Sequence, residues 1–169
     1  MTEARRAIVS SAHLADGAAP ALSELEFSLT LAATAYQRWI ARCALAAGVQ
    51  LSPLEILVLH TVRHRGRAKR LNDITLVLDI EDTHLATYAI RKLEKAGLVR
   101  TSRSGKEKLI DATEAGRKFC EAYRAVRERI LAAPIAVDGP GETALSDAAD
   151  LLRRISGQYN QAARAAATL

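Results

Sequence analysis

The sequence has no run of apolar residues approaching the ~18 needed to cross a bilayer, and no basic segment near its start leading into a long apolar stretch. A membrane span and a secretory leader are therefore not expected, and the cytoplasm is the expected compartment. Cysteine is scarce: Cys43 and Cys120 stand alone, without a C-x-x-C pair or an even-spaced framework. This excludes a disulfide scaffold and a cysteine-ligated zinc site. Gly-rich phosphate loops, G-x-S-x-G, paired carboxylates and Cys/His constellations are also missing, so neither an enzyme nor a cofactor or metal is expected. His60 and His64 stand at i, i+4, but with no third ligand nearby they read as helix-end histidines.

What is present describes a folded protein. Of 169 residues, 49% are apolar and 25% charged, close to the average for globular proteins. That length suits one domain, with or without flanking interaction helices. The net charge of +5 is unevenly placed: Arg63 to Lys118 holds 14 basic and 8 acidic residues, against 10 and 11 elsewhere. A local basic excess is what a polyanion-binding surface needs, although a solvated mixed-charge surface gives the same count.

Periodicity supplies the organisation. Residues 1–20 read as a flexible N-terminal arm, broken by Asp16-Gly17-Ala18-Ala19-Pro20. From Ser23 as N-cap, Leu25, Leu29, Ala32, Tyr36, Trp39 and Cys43 recur every three or four residues until Gly48, predicting a long amphipathic helix. Ser52-Pro53-Leu54-Glu55 is a capping box with proline at the first helical position, opening a short apolar helix that closes at Gly66. Asn72 is expected to cap a shorter helix carrying Ile74, Val77 and Leu78. Asp82 caps the next, which has Ala86, Ala89, Ile90 and Leu93 on one stripe and ends at Gly97. Two helices joined so tightly cross steeply, as in a helix-turn-helix. Leu98–Thr101 and Lys108–Asp111 then read as a β-hairpin turning at Ser104-Gly105. Thr113 starts another helix to about Ala133, the stretch Ala133 to Gly141 breaks the chain, and a last helix spans about Thr143 to Ala166.

The run Leu51 to His60, then Leu71 to Ile80, then Ala86 to Val99 and Thr113-Glu-Ala-Gly116 resembles the MarR family of bacterial winged-helix regulators. Its most specific parts are Leu93-Glu-Lys-Ala-Gly-Leu-Val99 and Thr113-Glu-Ala-Gly116. The chain departs from the family pattern at Ser102 to Lys108, which lacks the usual Asp-x-Arg element of the wing. It departs again at Tyr88, where arginine is common, and at His84-Leu85, in place of a frequent Pro-Thr pair. The resemblance implies a mainly α fold with a small β-hairpin wing: a winged helix-turn-helix with N- and C-terminal dimerisation helices. Residues 21–50 would be the first dimerisation helix, 51–116 the DNA-binding lobe and 117–169 the C-terminal dimerisation helices. It also implies a homodimer on palindromic operator DNA, expected to repress, and in many members a response to small aromatic ligands or oxidants.

With one stripe of the second helix-turn-helix element packed inward, the opposite face presents Thr83, His84, Thr87, Tyr88 and Arg91. Thr87 and Tyr88 suit base edges, Arg91 a base or phosphate, Thr83 a phosphate, and His84 either. At the hairpin tip Arg103, Lys106 and Lys108 are wing candidates, and Arg67, Lys69 and Arg70 are candidate phosphate clamps. Tyr36, Trp39 and Cys43 share a helix face that could line an effector cleft or simply be core, and Cys43 could sense oxidants or be an inert buried thiol. A winged-helix subunit that meets an acidic protein instead of DNA is the alternative, and would be expected to expose more apolar anchors.

Overall fold

The computed structural model describes residues 8–105 and 107–169. The elements are α1 (Pro20–Ala46), α2 (Pro53–Arg63), β1 (Lys69–Arg70), α3 (Leu71–Leu78), α4 (Thr83–Lys95), β2 (Val99–Ser104), β3 (Glu107–Ala112), α5 (Glu114–Arg127), α6 (Ala133–Asp138) and α7 (Glu142–Ala166). The chain forms two compact units, one up to Arg124 and the other from Ala125 to Leu169.

Within the first unit α2 is the central element. Its capping box is complete: Glu55 N–H donates to the Ser52 hydroxyl and Ser52 N–H to the Glu55 carboxylate. Ile56, Val58, Leu59 and Val62 are wholly buried, and α1, α3, α4 and β3 pack around them. From α1 only Ile40, Cys43, Ala44 and Ser23 are buried; from α4 the four predicted residues Ala86, Ala89, Ile90 and Leu93 are. The α3–α4 turn is closed by Asp79 in the left-handed region (φ 53°), with Ile80 N–H reaching back to Thr75 O at 2.9 Å. α4 ends the same way at Gly97 (φ 73°), where Leu98 N–H bonds to Leu93 O.

The hairpin is longer than the sequence predicts, β2 reaching Ser104 and β3 starting at Glu107, with Gly105 at φ 60° beside the turn. A third strand that periodicity could not reveal, β1, pairs antiparallel with β3 in the order β1-β3-β2, Lys69 opposite Ile110 and Arg70 opposite Leu109. Two residues are too few to show an alternation.

Other expectations are corrected. α1 starts at Pro20, and Ser23 is no cap: its buried hydroxyl donates to Leu14 O, tying down a 3-10 turn at Ala12–Ala15. α3 is capped not by Asn72 but by Asp73, whose carboxylate accepts from Arg70 N–H at 3.0 Å. Val77 points outward at 69% exposure and Leu76 at 83%, leaving Ile74 as the buried apolar residue of α3. Ala133 to Asp138 is helical: a π turn at Glu128–Ala132 widens the helix ahead of Pro134, which lacks an N–H, and the break comes only at Gly139. In the second unit α7 has no buried residue.

The Thr113-Glu-Ala-Gly116 segment joins the hairpin to α5 at close quarters. Thr113 Oγ1 donates to Gly97 O at 2.6 Å and accepts from Gly116 N–H at 3.0 Å, while Thr113 N–H bonds to Leu98 O. A Cβ at Gly116 would lie 2.0 Å from Leu98 O, a clash with backbone on both sides. Gly116→Ala is therefore expected to cost about 3 kcal/mol or more, beyond ordinary surface substitutions. Urea unfolding checks it, and a loss below about 1 kcal/mol would show that the two segments can separate without cost.

Candidate nucleic-acid interface

α4 is held at its start by the Asp82 carboxylate, which accepts from His84 N–H at 2.8 Å. Inward packing of Ala86, Ala89, Ile90 and Leu93 fixes its rotation, so Thr83, His84, Tyr88 and Arg91 are exposed and Thr87 is half-buried. Sequence reasoning missed two members of this surface. Leu85 is exposed beside His84, and Lys92 lies over the Tyr88 ring, its Nζ 5.3 Å from the centroid. The i, i+4 spacing of Tyr88 and Lys92 was the available signal.

On the hairpin, Arg103 and Lys108 are direct cross-strand partners and both exposed. Lys106 lies outside the described residues. The hairpin is tied to both helices of the helix-turn-helix, to one from the middle of β2 and to the other from beside the turn. Thr101 N–H donates to the Glu94 carboxylate at the end of α4, and Arg70, at the start of α3, donates to Glu107 at 2.9 Å.

The three candidate clamps separate. Arg67 is exposed. Lys69 is not on the surface: it is buried, and its ammonium donates to His64 O and Arg67 O, each at 2.7 Å. Burial, with Arg67 as a second contributor, holds its pKa below the usual lysine value. Arg70 is engaged by Glu107 and by Asp73, which lies 3.5 Å away, so it latches the wing to α3. Lys69, buried on two carbonyls, does not fit the expected clamp, whereas Arg70 is exposed but engaged by two carboxylates.

Tyr36 is exposed and Trp39 half-buried on α1, but Cys43 faces the core, its Sγ donating to Tyr123 O at 3.7 Å. Burial removes Cys43 from oxidants, and burial pushes the Cys120 thiol up to about 11. The Cys120 thiol is therefore not a reactive thiolate.

Residues 51–116 match the family model of the winged helix DNA-binding domain. No curated protein sequence matches the chain. Among solved structures, a MarR-family transcriptional regulator from Rhodococcus sp. RHA1 is 18% identical, covering 78% of this chain and 91% of its own, with a TM-score of 0.64. CouR from Rhodococcus jostii RHA1, bound to p-coumaroyl-CoA, is 19% identical over 78% and 90%, with a TM-score of 0.62. BpsR of Bordetella bronchiseptica, whose DNA binding is regulated by 6-hydroxynicotinic acid, is 24% identical over 76% and 92%, with a TM-score of 0.56. The chain thus carries a winged helix DNA-binding domain and has the fold of the MarR-family transcription regulators.

His60, one helical turn before His64, packs edge-on against Tyr123 with ring centroids 4.7 Å apart, and its buried Nε2 has no hydrogen-bond partner among the described residues. Burial lowers its pKa below 6.5. The unfolded chain therefore binds the proton more readily than the folded one. The stability contributed by neutral His60 is complete above pH 6.5 and is lost as pH falls towards the depressed folded pKa. Denaturant unfolding at pH 7.5 and 5.5 is expected to show this loss, and His60→Phe to reduce it. Equal pH dependence in both proteins would overturn the assignment.

Proposed function

We propose that this protein is a homodimeric transcription regulator that binds a palindromic operator and represses by occupying the promoter. The observation that carries the reading is α4: one face is wholly buried alanine, isoleucine and leucine, and the other presents Thr83, His84, Thr87, Tyr88 and Arg91 beside a basic hairpin. A helix of this width fits the major groove. Thr87 and Tyr88 are assigned to bases, Arg91 to a base or phosphate, and Thr83 and His84 to the flanking backbone. Arg103 and Lys108 of the wing, and Arg67, are assigned to phosphates. The exposed Leu85 suits a thymine methyl group.

Dimerisation is supported by helix faces left uncovered. On α1, Leu22, Leu31 and Tyr36 are exposed; on α7, Leu145, Leu151 and Leu152 are. Apolar surface of this extent favours a second copy, and two copies give two reading helices for the halves of a palindrome. Sedimentation at micromolar concentration is expected to give a dimer; a monomer would remove the two-half-site reading.

An effector is part of the proposal because two structural neighbours of the chain are described with small organic ligands. Tyr36 and Trp39 remain candidates to meet an aromatic one, with Trp39 emission as the readout, whereas Cys43 and oxidant control are withdrawn.

Selection from random duplexes with the purified protein tests the DNA reading. A recovered palindrome is expected. Tyr88→Ala and Thr87→Ala should each reduce discrimination against random DNA by about 1–3 kcal/mol per lost base contact, with little change in nonspecific affinity. Arg103→Ala with Lys108→Ala should instead flatten the salt dependence and leave the preferred sequence intact. Full specificity in both α4 variants would overturn the assignment of α4 as the reading helix. Saturable capture of an acidic protein without any duplex binding would favour the winged-helix interaction subunit.

A further inference from the structure

Beside the helix-turn-helix, away from the exposed face of α4, lies a groove of about 790 Å³ between the end of α2, β1, α3 and the start of β3. Its hydrocarbon comes from Leu57, Ala68, Leu76, Val77, Leu78 and Leu109, all aliphatic. Leu76 and Val77 stand exposed in its lining, apolar surface that the described residues leave without packing. Volume and lining both fall in the range of small-molecule sites.

The polar lining of the groove has four cations, Arg65, Arg67, Lys69 and Arg70, against two carboxylates, Asp73 and Glu107, with His60 and His64 beside them. Arg65 and Arg67 stand near enough to Lys69 to disfavour its charge. Lys69 is buried, yet the partners of its ammonium are two neutral carbonyls, which leaves one of its three N–H groups unused among the described residues. Asp73 and Asp111 favour its charge from a distance, but among the described residues no carboxylate lies within ion-pair distance of it, and a buried cation so placed gains from a closer counter-charge. Arg65 is moreover held in the left-handed region (φ 59°), uncommon for a residue other than glycine.

We propose that this groove binds a medium-chain aliphatic carboxylate, its headgroup on Lys69, Arg67 and Arg70 and its hydrocarbon along Leu76, Val77 and Leu109. Aliphatic walls without a Phe, Tyr or Trp select a flexible chain over a flat ring, and an apolar shelf ending at cations selects an amphipathic anion over free phosphate. The Arg70–Glu107 ion pair is also part of the lining. A carboxylate entering there competes with Glu107 for Arg70 and loosens the hairpin from α3. This consequence for DNA rests on the regulator reading above; binding of the acid does not.

Isothermal titration of the full chain with octanoate tests the site, with acetate, inorganic phosphate and benzoate as comparison ligands. One saturable octanoate per chain is expected, weakened tenfold or more by Val77→Asp and by Arg67→Glu, both exposed positions whose variants should keep the wild-type melting curve. Absence of octanoate binding would overturn the proposal. So would equal affinity for acetate or phosphate, tighter binding of benzoate, or unchanged affinity in both folded variants. Duplex binding is measured separately on the same protein. Octanoate binding without any duplex binding removes the regulator reading and leaves the ligand site standing. Duplex binding without octanoate binding does the reverse.

Discussion

The first unit depends on the burial of four side chains of α2. An eleven-residue helix whose Ile56, Val58, Leu59 and Val62 are all inaccessible needs neighbours on more than one side. Each such side chain contributes about 2 kcal/mol when removed from water, so no single partner element could satisfy the helix. α1 covers it through Ile40 and Cys43, α3 and α4 through Ile74, Ile90 and Leu93, and β3 through Ile110. The rotation of α4 follows from this. Leu93 and Ile90 must face inward, and the polar residues between them have only the outer face left. The exposed face of α4 is thus set chiefly by core packing, with the Asp82 cap and the Lys92–Tyr88 contact added on its surface.

The hairpin is positioned by polar contacts, since few of its residues are buried. Glu94 holds β2 through Thr101 N–H, Thr113 bridges Gly97 and Gly116, and Arg70 spans 37 residues to Glu107. These exposed bonds are individually weak and screened by salt. The close approach of Gly116 to Leu98 is of another kind, because the absence of a Cβ there is a steric condition that salt does not touch. The root of the wing is therefore fixed, while its lateral attachment through Arg70 can exchange one anion for another.

The elements readable in the sequence are those whose causes lie within a few residues. The Ser52–Glu55 capping box, the Asp82 cap, the glycine ends at Gly48 and Gly97 and the stripe of α4 all appear where periodicity and local chemistry put them. The failures turn on where a side chain or backbone group finds its partner, which local pattern alone does not rank. Lys69 and Arg70 looked like clamp residues because a basic run carries no record of the carbonyls and carboxylates that the fold brings to it. Val77 fitted a helical stripe, but on an eight-residue helix that stripe is a single turn or two, and tertiary placement decided its direction. Cys43 stood on the stripe of Tyr36 and Trp39, yet α1 is covered near its end and uncovered before it, so one face passes from open surface into core. Ser23 and Asn72 are good capping residues in general, displaced here by Pro20 and Asp73.

The division of the chain bears on how regulation could operate. Under the regulator reading, operator spacing is set by whatever the uncovered faces of α1 and α7 bind, while base recognition is set by α4 on the α2 core. The core is close-packed and has no alternative arrangement of similar energy, so a ligand gains little by acting on α4 directly. It gains more at contacts that are exposed, polar and exchangeable, or at helix faces whose partner lies outside the chain. The Arg70–Glu107 latch is of the first kind, and the stretch of α1 from Leu22 to Tyr36 is of the second. At either place a ligand shifts DNA affinity only by the difference in its binding to the two arrangements, and DNA must oppose that ligand by the same factor. For a site built around an ion pair that difference has a definite origin: under the proposal above, the ligand's anion and Glu107 draw on one guanidinium that already holds Asp73, so each weakens the hold of the other.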